Sequence, residues 1–162
     1  GNKILYLNGK IQSIGGRVNR KFLFTRHNYF YKNNKEKKFH IDNLDYIPGC
    51  SIFFDVSITN IVGMFPEEYF MYYEDVDFCY NALNKGVKLE IAQNSIVYHK
   101  EGKSIKREKM EYIAFINRIK FSKKYFPNLL IFVYLSMLYQ ILKNILLFRW
   151  VFVYKIIINL IK

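Results

Sequence analysis

Apolar and polar positions along the chain change period several times, and each change marks an element. Over residues 1–16 short alternating runs (Ile4-Leu5-Tyr6-Leu7, then Ile11) flank Asn8-Gly9, which predicts two short strands about a tight turn, ended by Gly15-Gly16. Residues 17–43 are rich in Arg, Lys, Asn and Tyr without a period, which predicts a mobile basic loop. After Pro48-Gly49 the run Ser51-Ile52-Phe53-Phe54-Asp55-Val56 reads as a buried strand, and residues 57–63 as a short helix closed by Gly63. An aromatic connection over 64–72 leads to Glu74, from which Val76, Cys79, Tyr80 and Leu83 recur at helical spacing, with Gly86 placed as a C-terminal cap. Two strands follow, over 88–92 and 95–98. Residues 104–126 predict a charged helix, and from Asn128 onward Leu, Ile, Phe and Val dominate. The fold class expected is α/β with short mixed strands and helices: 1–104 as one mixed region, 105–126 as a basic helix, and 127–162 as hydrophobic, membrane-associated helices.

Charge sharpens this picture. The 162 residues include 25 Lys and Arg against 13 Asp and Glu, and 19% are aromatic. After Glu111 no acidic residue occurs, while Arg118, Lys120, Lys123, Lys124, Lys143, Arg149, Lys155 and Lys162 follow. That basic region is also the most apolar, so the expected partner is a membrane surface and not nucleic acid, for which the basic residues form no motif. The apolar run after Pro127-Asn128 is short for a span of roughly 20 residues, so helices lying at the cytoplasmic face of the plasma membrane, peripheral or shallowly inserted, are expected, with the basic stretch Lys100 to Lys124 drawn to anionic lipid. Cys50 and Cys79 have neither metal-ligand spacing nor the numbers of a disulfide framework, which suits a reducing compartment.

Against that basic background, Tyr73-Glu74-Asp75-Val76-Asp77-Phe78-Cys79-Tyr80 places three carboxylates in four positions at a predicted helix start. An acidic first turn complements the helix dipole without any function. The same place keeps a carboxylate ionised, as a general base requires. Asp77 lies about 200° around the helix from Asp75, so the two are expected to differ in role, with Asp77 structural. His99 ends an apolar run before a glycine-containing loop, a position open either to a metal ligand or to an ordinary hydrogen-bonded histidine.

The stretch Asp45 to Ser104 resembles the C-terminal, acceptor-binding half of family 2 glycosyltransferases of the GT-A, rhamnosyltransferase-like bacterial type. Five pieces carry the resemblance in order: Asp45-Tyr46-Ile47-Pro48-Gly49-Cys50-Ser51, Val62-Gly63-Met64-Phe65-Pro66-Glu67-Glu68-Tyr69-Phe70, the Glu74-Asp75 motif, Asn84-Lys85-Gly86-Val87-Lys88, and Val97-Tyr98-His99 through Gly102 and Ser104. The resemblance implies Asp75 as the base that deprotonates the acceptor hydroxyl, Glu74 as its helper, and Gly49, Cys50 and Tyr73 on the acceptor floor. It implies His99 as a ligand of a divalent metal, Mg or Mn, that holds a UDP- or dTDP-sugar. It further implies inverting transfer to a growing glycan or a lipid-linked acceptor. The family's nucleotide-binding half and its Asp-x-Asp motif have no counterpart before residue 45, so the donor site is expected from a separate half and the chain is expected to be inactive alone. Asn81 stands where the family often has arginine. A non-catalytic, basic membrane-binding module is the alternative expectation.

Overall fold

The computed structural model describes residues 1–35, 38–100, 107–148 and 150–161. They form two compact units, Gly1–Asn19 with Phe24–Glu101, and Arg20–Leu23 with Gly102–Lys162. The architecture is mixed α/β, with small sheets and helices in the first unit and helices in the second.

In the first unit, β1 (Asn2–Leu5) is the central strand of a three-stranded sheet. It pairs antiparallel with β2 (Ile11–Ser13), Ile4 opposite Ser13 and Leu5 opposite Ile11, and parallel with β5 (Ala92–Tyr98), Ile4 opposite Val97 and Leu5 opposite Tyr98. The predicted Asn8-Gly9 turn joins β1 to β2, closed by Tyr6 N–H on Lys10 O at 2.8 Å. Leu5, Ile11, Ile14 and Phe39 bury their side chains together under this sheet, with Tyr29, Ile41 and Ile91 against them.

Three sequence expectations are corrected here. The basic segment after residue 16 is no featureless loop: β3 (Gly16–Val18) and β4 (Thr25–His27) pair antiparallel. Its register is fixed by Val18, which is buried and donates its N–H to the buried Asp45 Oδ2 at 2.8 Å. The run Ser51–Val56 is not a buried strand. A 3₁₀ turn spans Gly49–Ser51, and beyond it Phe53 and Val56 are 85% and 78% exposed. Pro48 lacks an N–H, and the Ser51 N–H turns back to Pro48 O at 3.0 Å, so no ladder forms. Finally, the two strands expected over 88–98 are one, β5, which begins only at Ala92.

The short helix α1 (Ile58–Val62) ends at Gly63 as its sequence predicts. The helix α2 (Glu74–Asn84) buries Val76, Asp77, Phe78, Cys79 and Ala82, while Tyr80 and Leu83 are only half-buried. Phe78 stacks on Phe65 with ring centres 4.4 Å apart and meets Phe54 at 5.0 Å, which ties the aromatic connection to the helix. The end of α2 is a Schellman closure: Val87 N–H reaches Ala82 O and Gly86 N–H reaches Leu83 O, both at 3.0 Å. Gly86 takes φ +80°, which a side chain would resist.

In the second unit α3 (Arg107–Tyr125), α4 (Leu130–Leu146) and α5 (Trp150–Ile161) pack on one another through Phe115, Ile119, Phe121, Val133, Met137, Val153 and Ile156. The basic helix is thus part of the same body as the apolar ones. Pro127 does not shorten the apolar segment as the sequence suggested. It opens a 3₁₀ turn, Pro127–Leu129, where its missing N–H is no loss, and that turn runs on into α4. Pro127–Leu146 is consequently 20 residues long and, by length and composition, apolar enough to cross a membrane. The expected loop residues Glu101–Ser104 and the residue Arg149 lie outside the described residues.

Candidate active site

Asp75 sits in the first turn of α2, and its half-buried carboxylate is held from two sides. Gly49 N–H donates to Oδ2 at 2.8 Å and the helix's own Val76 N–H to Oδ1 at 2.8 Å. Gly49 approaches the carboxylate in the 3₁₀ turn after Pro48: a methyl there would lie 3.4 Å from Asp75 Cβ and 3.8 Å from Oδ2, in ordinary van der Waals contact with it. Burial, and after it the negative charge of Glu74, push the Asp75 carboxyl up to about 6 against the pull of these N–H donors. A carboxylate so poised is ionised at neutral pH yet basic enough to accept a proton from a hydroxyl.

Glu74 is the second member. Burial raises its carboxyl above the ordinary range, and its Oε2 is buried with no hydrogen-bond partner among the described residues. A buried carboxylate oxygen without a partner departs from the usual satisfied state of buried polar groups. Asp77, two residues on, has a different fate. It is 2% exposed and accepts the Tyr69 hydroxyl at 2.7 Å, a structural bond inside the core.

The backbone ahead of these carboxylates is strained. Phe70, Tyr72 and Tyr73 take φ of +58°, +64° and +75°, a region that non-glycine residues seldom occupy and that clusters at functional sites. Tyr73 is itself the residue before the first turn of α2, so the left-handed step sets the direction in which Glu74 and Asp75 leave the loop.

The structure therefore brings Gly49, Glu74 and Asp75 together, with Tyr73 as the adjoining backbone. Cys50 follows Gly49 in the turn as an exposed thiol outside any disulfide. His99 is placed elsewhere, at the end of β5: its backbone N–H bonds Leu5 O at 3.0 Å and its Nδ1–H donates to Gln12 Oε1 at 3.1 Å. That bond leaves Nε2 as the lone-pair nitrogen, the arrangement that orients a metal-ligating imidazole. No group of three His, Cys, Asp or Glu that could hold a metal exists among the described residues, so His99 and the two carboxylates do not form one site. The described residues do not form a complete metal centre. Asn81 donates Nδ2–H to Val62 O at 2.8 Å and so ties α2 to α1.

Sequence reasoning overlooked Tyr46. Its ring lies against Gly16, where a Cβ would overlap it, and its hydroxyl shares a hydrogen bond with His27 Nδ1 at 3.2 Å. Burial first, and then the charge of Asp75, hold this phenol neutral. Tyr46 lies in the segment Asp45–Ser51 singled out above, but only its bridge to Gly16 reveals the ring's place there. No protein-family model matches the chain, and neither a curated protein nor a solved structure matches it.

Proposed function

We propose that these residues form the acceptor side of an inverting, metal-dependent glycosyltransferase of the family 2, GT-A kind. The observation that carries this reading is the Asp75 carboxylate, fixed by the Gly49 N–H at 2.8 Å beside the unpartnered Glu74 oxygen. Asp75 takes the proton of an acceptor hydroxyl as that oxygen attacks the anomeric carbon of a sugar nucleotide and the nucleoside diphosphate departs. Glu74 Oε2 accepts a hydrogen bond from the acceptor and orients it. Gly49, with no side chain, leaves room for the sugar against the carboxylate. A single displacement with one base inverts the anomeric carbon. A divalent metal, Mg or Mn, would supply charge neutralisation on the leaving diphosphate when bound, and His99 would be a ligand for it from this chain. A UDP- or dTDP-sugar would be held by a nucleotide-binding half outside these residues, and the acceptor is a growing glycan or a lipid-linked saccharide.

The test joins the chain to a nucleotide-sugar-binding half and measures transfer to a lipid-linked acceptor. Asp75→Asn should lower the rate by at least about 100-fold, the scale of general-base catalysis, with the fold intact. Native activity in that variant would sink the assignment of the base.

One observation favours a second reading, a membrane-binding module in which the carboxylates only begin a helix. It is the 20-residue apolar segment Pro127–Leu146 in a unit rich in Lys. That reading expects vesicle binding that weakens with salt and a biological role indifferent to Asp75→Asn. The two are compatible in one respect: attachment at the cytoplasmic face would bring the chain to the membrane that carries a lipid-linked acceptor.

A further inference from the structure

The β3–β4 hairpin sets Arg17 directly opposite Arg26. Opposed residues of an antiparallel pair project from the same face, and like charges there repel. Both side chains are exposed, and no carboxylate lies between them on the hairpin. They line a groove of about 680 Å³, within the size range of small-ligand sites. Lys32, His27 and His40 line it too, and among the described residues its sole carboxylate is Asp42. Asp42 pairs with His40 and lies 3.7 Å from Arg17 Nη2, while Asn43 O holds Arg17 Nε at 3.1 Å. Arg17 is thereby oriented, and Arg26 has no partner among the described residues. Aromatic rings finish the wall: Lys32 Nζ stands 5.5 Å from the centre of the Tyr29 ring, and Phe30 stacks on His27 at 6.3 Å.

A repelling arginine pair is retained most readily where an anion bridges it, since each guanidinium offers a planar fork matched to phosphate oxygens. We infer that this groove binds the phosphoryl groups of a diphosphate-bearing ligand, gripped by Arg17 and Arg26 with Lys32 as the third cation. Three cations against one carboxylate leave an excess of two positive charges, the complement of a diphosphate diester. Tyr29 and Phe30 offer apolar faces to whatever ring or chain the diphosphate carries. Two sources share this chemistry, a soluble nucleotide and a lipid-linked diphosphate. The inference uses only the groove's charges and shape, so its failure would leave the Asp75 chemistry standing, and the reverse also holds.

The experiment titrates the full chain with inorganic pyrophosphate by calorimetry at physiological ionic strength. Saturable binding is expected, with Kd raised at least about ten-fold in R17Q/R26Q and raised measurably in R26Q alone. K123Q/K124Q removes the same charge from α3 and should bind as the native chain does. UDP, and polyprenyl diphosphate carried in phosphatidylcholine vesicles, are then competed against pyrophosphate. Displacement by UDP assigns a soluble nucleotide, and displacement by the vesicles assigns a lipid-linked ligand. Absence of pyrophosphate binding, unchanged affinity in R17Q/R26Q, or an equal loss in K123Q/K124Q overturns the inference.

Discussion

Replacing Asp75 by asparagine should stabilise the fold at neutral pH while removing its base. The carboxyl is raised from 3.8 to about 6 in the folded chain, with burial the larger cause and Glu74 the second. The folded state therefore binds this proton more tightly than the unfolded state does. Between roughly pH 4 and pH 6 stability falls as pH rises, and above pH 6 the whole penalty is present. A shift of roughly two pKa units corresponds to about 3 kcal/mol. Water reaching the half-buried carboxylate reduces that figure. Asparagine, like the protonated carboxyl, keeps one acceptor oxygen for the Gly49 and Val76 N–H donors, a difference that the raised carboxyl already includes. A net gain of about 1–2 kcal/mol at pH 8 remains, vanishing near pH 3.5. Urea unfolding followed by far-ultraviolet circular dichroism, in a mild non-ionic detergent at pH 3.5, 5, 6.5 and 8, measures it. The difference between variant and native should open between pH 4 and pH 6 and then level off. No gain at pH 8, or an equal gain at pH 3.5, would refute the claim that a buried, charged Asp75 is held at a cost.

Glu74→Gln removes the second cause of that shift, so Asp75 should titrate lower by carbon-13 NMR yet stay above 3.8, because burial persists; a rise would contradict the assigned coupling. Tyr69→Phe takes a donor from the buried Asp77 and should destabilise the chain by about 1.5–3 kcal/mol in denaturant unfolding, while the Asp75 titration stays in place. Iodoacetamide should label the exposed Cys50 and spare Cys79, whose thiol burial pushes up to about 12, until the chain is unfolded; equal labelling in the native state would show that the contact of Cys79 with the Ile47 backbone is open.

What the sequence revealed was local, and what it concealed depended on pairing. Helix α2 was legible because apolar spacing, an acidic first turn and a capping glycine agree over eleven residues. The Asn8-Gly9 turn and the close of α1 at Gly63 were legible for the same reason. The β3–β4 hairpin was not. Three-residue strands carry too few side chains to display a period, and Val18 is held by a carboxylate far along the chain, at Asp45. The apolar run after Ser51 misled because hydrophobicity is a one-way guide to burial: Phe53 and Val56 are greasy and exposed, while Phe54 is the one that reaches Phe78. In the candidate site Glu74 and Asp75 could be read from their density in a basic chain. The Gly49 N–H could not, since backbone donors have no signature beyond the glycine itself.

The different fates of Asp75 and Asp77 follow from where α2 starts, and the strained aromatic loop sets that start. Each non-glycine residue at positive φ is unfavourable by about 1–3 kcal/mol, and Phe70, Tyr72 and Tyr73 supply three of them within four positions. Such a loop persists only if its ends are tied. Asp77 ties both, since its carboxylate receives the Tyr69 hydroxyl at 2.7 Å and its N–H bonds Tyr73 O at 2.8 Å. The first helical turn thus begins at Glu74 and nowhere else, which turns Asp75 toward the Gly49 N–H and Asp77 toward the core. Were the loop to relax to ordinary backbone angles, the helix could begin a residue earlier or later. Each residue of slip rotates the carboxylates by about 100°, enough to break the Asp75–Gly49 contact. The buried aspartate is the anchor, and the half-buried one is the residue it positions.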